Sequence, residues 1–177
     1  MKKIIINVSG QDRLGIISDI TKEVSQLNGN IETSKMIQLG LEFNMLILAS
    51  INDKDLDALD KKLASYQDLS IIIKTTEPNK SEITKNKFVF ILKGSDNEGI
   101  VHSCTKMFNN FNINVIDLET KLFNAPNTGS PLFYIKAIID LASLNNLDTF
   151  KNQIKLFEDD NNVVIKLIKN DDWFPNH

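Results

Sequence analysis

The sequence predicts an α+β protein made of two tandem βαββαβ units, each a four-stranded antiparallel sheet with two helices on one face. Three observations predict this. A strand–loop–helix corner occurs twice, as Gly10-Gln11-Asp12-Arg13-Leu14-Gly15-Ile16-Ile17 and as Gly94-Ser95-Asp96-Asn97-Glu98-Gly99-Ile100-Val101. The offset of 84 residues is then kept by Ile20 and Cys104, Thr21 and Thr105, Val24 and Phe108, Leu27 and Phe111, and Asn30 and Asn114. A register held over glycines and apolar positions together marks an internal repeat. Between the copies, residues 77–86 are polar apart from Pro78 and Ile83 and read as a linker. The expected domains are therefore 1–76 and 87–170, with a tail over 171–177.

Each element follows from local pattern. Residues 3–9 are β-branched and apolar, which predicts a strand. Ile16, Ile17, Ile20, Val24 and Leu27 recur at spacings of three and four, predicting a helix over 14–28 that Asn28-Gly29 stops. Residues 30–38 alternate, Leu39-Gly40 turns the chain, and 41–51 form a long apolar strand. Asn52 or Asp53 caps a helix carrying Leu56, Leu59 and Leu63, and 69–76 closes the unit. In the second copy the hairpin turn is enlarged by residues 124–131, so Phe43 corresponds to Phe133. The last helix runs from Asn145 or Asn146 to Phe157 and the last strand over 162–169. Helices on one side leave the other sheet face bare, with Met45 and Ile47 the candidates for apolar residues on it.

Composition excludes several function classes. A net charge of −3 over 177 residues gives no basic footprint for direct nucleic-acid binding. The apolar run after Met1-Lys2-Lys3 is too short for a signal or a membrane span, and the single Cys104 has no internal disulfide partner, so a cytoplasmic setting is expected. Two histidines and one cysteine offer neither a metal cluster nor a nucleophile paired with a base, so no enzyme and no cofactor are expected. Cys104, on the core face of its helix, is expected to be a buried hydrophobe. His102 reads either as a surface residue or as a contact of the adjacent corner, and the tail around Trp173 as a docking segment or a mobile end.

The corners are where a ligand is expected. A helix entry aims unpaired N–H groups and the positive end of the dipole at one space, which suits a carboxylate. Gly15 and Ile16 would supply N–H groups, Arg13 a cation, and Asp12 an acceptor for an ammonium. The competing reading makes Asp12 and Asp96 helix caps, and Gly15 and Gly99 residues that permit close helix packing. Glu98 would repel an incoming carboxylate from the second corner.

The motif Gly-x-Asp-Arg-x-Gly-Ile-Ile-Ser on such a unit resembles the ACT domain, a ferredoxin-like module that binds amino acids. Together with Gly40-Leu41-Glu42-Phe43-Asn44-Met45-Leu46 and the hairpin Pro126-Asn127-Thr128-Gly129-Ser130-Pro131-Leu132-Phe133, the pair resembles the glycine cleavage system transcriptional repressor family. Leu14 and Glu98 stand where ACT loops commonly carry Pro, and Asn97 replaces the arginine. The resemblance implies an amino-acid sensor favouring glycine, a homodimer, and repression exerted through a DNA-binding transcription activator. It also places the ligand between a first loop and a neighbouring domain's second strand. The implied positions are Asp12, Arg13, Leu14, Gly15 and Ile16 with Asn30 and Ile31, and Asp96, Asn97, Glu98, Gly99 and Ile100 with Asn114 and Val115. The rival readings are an ACT scaffold that senses nothing and a regulatory partner of an amino-acid biosynthetic enzyme.

Overall fold

In the computed structural model, described for residues 1–77, 86–124 and 129–169, the chain divides into two compact units, Met1–Lys80 and Ser81–His177. The first runs β1 (Lys2–Gln11), α1 (Ile16–Gln26), β2 (Asn30–Leu39), β3 (Glu42–Ile51), a short 3-10 turn (Asp53–Asp55), α2 (Leu56–Leu63) and β4 (Leu69–Thr76). The second runs β5 (Lys87–Ser95), α3 (Ile100–Asn110), β6 (Asn114–Asn124), β7 (Pro131–Asp140), α4 (Leu147–Asn161) and β8 (Val163–Lys169). The sheets have the orders β2-β3-β1-β4 and β6-β7-β5-β8, with every neighbouring pair antiparallel. This is the ferredoxin-like arrangement twice over. A bulge recurs at the same place, between Ile31 and Thr33 and between Val115 and Asp117. Part of the linker, part of the enlarged hairpin and the tail with Trp173 lie outside the described residues.

Each unit closes a separate core between its sheet and its helices. In the first, Ile4, Ile6 and Val8 of β1 meet Ile16, Ile20 and Val24 of α1 and Leu59 and Leu63 of α2. In the second, Phe90 and Leu92 meet Ile100, Cys104 and Phe108 of α3 and Phe150 and Ile154 of α4. Phe90 and Phe108 pack edge to face with centroids 4.9 Å apart, a geometry worth about 1 kcal/mol beyond the area it buries. Cys104 is fully buried, and burial pushes its thiol up to about 12, as befits a core hydrophobe.

Two expectations need correction. Met45 and Ile47 lie under the helices, at 3% and 0% exposure, not on the bare face. Strand parity decides this: Phe43 points into the core, so its neighbours at two-residue spacing do too. The open face instead carries Leu46 and, across the ladder, Ile37 and Ile72, each about half exposed. The helix caps also differ. Asn146 is a true side-chain cap, accepting from the N–H groups of Asp148 and Thr149 at 2.9 and 3.1 Å, whereas α1 and α3 are entered through Gly15 and Gly99 with no side-chain cap.

The two sheets share a cross-strand pair of Gly and Phe, Gly10 with Phe43 and Gly94 with Phe133. A Cβ on Gly94 would stand 2.7 Å from the Val163 Cα and 2.8 Å from the Asn162 carbonyl oxygen, both backbone atoms. Gly94→Ala should therefore destabilise the second unit by about 1–3 kcal/mol, measured by urea unfolding followed by circular dichroism. An unchanged midpoint would show that β5 and β8 separate freely.

Candidate functional site

Both predicted corners form, and the glycine at each helix entry has a conformational task. Gly15 has φ +92° and Gly99 φ +77°, in the left-handed region that costs an L side chain about 1–2 kcal/mol. Nothing lies within 4 Å of where a Cβ would sit at either position. The close-packing explanation therefore fails for these two, and belongs to Gly10 and Gly94. Asp12 and Asp96 are not caps.

The first intrahelical bond of α1 runs from Asp19 N–H to Gly15 carbonyl at 2.9 Å, so the N–H groups of Ile16, Ile17 and Ser18 precede the ladder. Asp12 is exposed, and its own N–H donates to the Leu41 carbonyl at 2.9 Å, tying the corner to the β2–β3 hairpin. Leu14 is fully exposed, while the Ile16 side chain is buried in the core and presents only its backbone to the corner. Arg13 does not project freely. Its Nε donates to Asp68 at 2.7 Å and its Nη1 to Asp19 at 3.0 Å. These bonds raise the guanidinium pKa and hold the Asp68 carboxyl below the usual aspartate range.

The second corner is built differently. The Asn97 side-chain amide donates to the Asn161 carbonyl at 2.6 Å, so position 97 ties the corner to the end of α4 as Arg13 ties its own to the segment after α2. Ile100 gives its N–H to the Asn97 carbonyl at 3.2 Å, leaving Val101 and His102 as the donors ahead of the Ser103-to-Gly99 bond. Asp96, Asn97, Glu98, Gly99 and Ile100 share a cleft of about 550 Å³ with Val101, His102, Thr105 and Phe133. His102 is exposed and lines it. Phe133 was missed in the sequence, although its place opposite Gly94 would have marked it.

Asn30 and Ile31 start β2 and line a separate cleft of about 520 Å³ with Ser18, Thr21, Lys22, Ser25 and Gly29, away from Asp12–Gly15. Asn114 and Val115 start β6 and do not line the second corner's cleft. Among the described residues no group of three or more metal-binding side chains occurs, and no helix is long and apolar enough to cross a membrane.

Residues 2–76 match the family model of the ACT domain. The first unit is an ACT domain. The second repeats its topology, bulge and glycine corner. Over 136 residues it is 25% identical to the glycine cleavage system transcriptional repressor of Escherichia coli (strain K12), covering 75% of this chain and 72% of that protein. A crystal structure of an unknown protein from Galdieria sulphuraria superposes with a TM-score of 0.82 at 25% identity, covering 95% of this chain and 98% of that one. A proposed glycine cleavage system transcriptional repressor shares the fold at a TM-score of 0.70 and 22% identity, covering 96% and 98%.

The ACT corner's ion pairs set a pH dependence. Asp68 titrates lower in the folded state, so its pairing with Arg13 stabilises the unit above the ordinary aspartate range and stops doing so as pH falls through the lowered value. Arg13→Ala should raise the Asp68 midpoint toward 3.8, read by carboxyl NMR titration. An unmoved midpoint would show that the guanidinium does not hold that carboxylate in solution.

Proposed function

We propose that the protein is an amino-acid-responsive regulator that binds glycine or a similarly small amino acid at its first corner and acts, as a homodimer, through a DNA-binding transcription activator. The observation that carries this reading is the uncapped α1 entry, where the N–H groups of Ile16, Ile17 and Ser18 precede the helical ladder and Asp12 lies on the loop that leads into it. That pairing matches a zwitterion, with the ligand carboxylate on the helix entry and its ammonium on Asp12. The second strand of a neighbouring ACT domain, entered at Asn30-Ile31 or Asn114-Val115, would close the site. Arg13 acts as a positioning residue that keeps the loop against Asp68 and Asp19. The name of the Escherichia coli relative supports repression of glycine cleavage as the output. The acidic chain supports an indirect route to DNA.

The scaffold reading draws on one specific observation, namely that the arginine expected to clamp a ligand is engaged by two carboxylates. Calorimetric titration with glycine, serine and the remaining amino acids separates the two. The sensor requires saturable glycine binding that weakens about tenfold or more in Asp12→Asn, where the acceptor for the ammonium loses its charge. Absence of heat with every amino acid, alongside a folded protein, would establish the scaffold.

A further inference from the structure

The internal repeat provides its own control for the helix layer. In the first unit α1 and α2 are bridged by a polar network: Lys62 Nζ donates to Glu23 Oε2 at 2.8 Å and to Gln26 Oε1 at 2.6 Å, and the Tyr66 hydroxyl donates to Glu23 Oε1 at 3.3 Å. The core positions Leu59 and Phe150, and Leu63 and Ile154, set the correspondence between α2 and α4. In that register Lys62 becomes Gln153 and Tyr66 becomes Phe157, while Glu23 and Gln26 become Met107 and Asn110. All four members of the bridge are replaced. Where the bridge stood, the second unit has a groove of about 330 Å³ between α3 and α4, lined by all four replacements.

The chemistry of that groove is specific. Met107 and Phe157 are buried and Phe111 is half-buried, which gives a thioether and aromatic floor. Lys106, Asn110 and Gln153 rim it, and none of the three side chains has a hydrogen bond or ion pair among the described residues. Lys106 is the single charge among the residues that line it, and no carboxylate opposes it. We propose that the groove between α3 and α4 binds a small organic carboxylate with an apolar, preferably aromatic, body, its head met by Lys106 and the two carboxamides and its body lying on Met107, Phe111 and Phe157. The volume stands at the low end of small-molecule sites, which fits a metabolite of about ten heavy atoms. Thioether and ring edges at the floor favour an aromatic face over an alkyl chain. This site shares no residue with the first corner, so it stands or falls independently of glycine binding there.

The test uses the full chain and two probes with the same body and opposite charge, phenylacetate and phenethylamine, followed by amide NMR. Phenylacetate should give saturable shifts confined to Ser103–Phe111 and Gln153–Asn161, and phenethylamine should give none. The double variant Met107→Glu with Gln153→Lys rebuilds the first unit's bridge in the second and should abolish the response. Should that variant fail to fold, Asn110→Glu, at an exposed position, places a carboxylate on the rim and should weaken phenylacetate about fivefold or more. Absence of saturation up to about 10 mM, equal binding of phenethylamine, or shifts that persist in the closed or acidic-rim variant would overturn the proposal.

Discussion

The pairing of Gly10 with Phe43, and of Gly94 with Phe133, fixes more of this structure than any other contact. The central strand of each sheet must lie close to the segment leading into the last strand, and a Cβ at either glycine would collide with that segment's backbone. The phenylalanine across the ladder supplies the bulk that the glycine lacks and commits its own strand to one parity. From that commitment follow the burial of Met45, Ile47 and Ala49 in the first sheet and of Ile135, Ala137 and Ile139 in the second. The same glycine ends the apolar part of the strand, so the chain leaves the sheet where a left-handed glycine can turn it into the helix.

The repeat was legible because a core face and a turn leave marks at fixed spacing. Ile16, Ile20 and Val24 against Ile100, Cys104 and Phe108 gave the helices and their buried sides, and residues 69–76 were placed to the residue. The face of β3 was not legible from its own residues. Phe43, Leu46, Met45 and Ile47 are all apolar, and only the opposing strand shows which set the helices cover. The capping role offered for Asp12 failed for a related reason: a carboxylate near a helix start reads as a cap in sequence, but a glycine at the cap position turns the chain before the side chain can reach back. Arg13 illustrates the limit at the site itself. Its partners Asp19 and Asp68 are 6 and 55 residues away, and the second of these meets it only once β4 has paired with β1.

The corners show how one backbone device accommodates different chemistry. Position 13 and its repeat at 97 do similar mechanical work, the first tying its loop to the segment after α2 and the second to the last residue of α4. In the first copy the tie is ionic, and the N–H groups of Ile16, Ile17 and Ser18 precede the helical ladder. In the second the tie is a neutral amide, the Ile100 N–H is taken up locally, and Phe133, Val101 and His102 line the cleft. Keeping the turn while changing its charges separates the backbone geometry, which both copies share, from the side chains around it, which they do not.

The helix layers have diverged at matching positions. Closing α1 on α2 uses a lysine that reaches one carboxylate and one amide at once, with the Lys62 side chain 39% and the Glu23 side chain 15% exposed. Losing only the lysine from such a bridge would leave the Glu23 carboxylate with the Tyr66 hydroxyl but no cation. The second copy instead exchanges all four positions together, which leaves no buried charge unpaired and keeps the core positions beneath intact. Replacement of a complete network, rather than decay of one member, is why the α3–α4 surface retains a packed floor under an open groove.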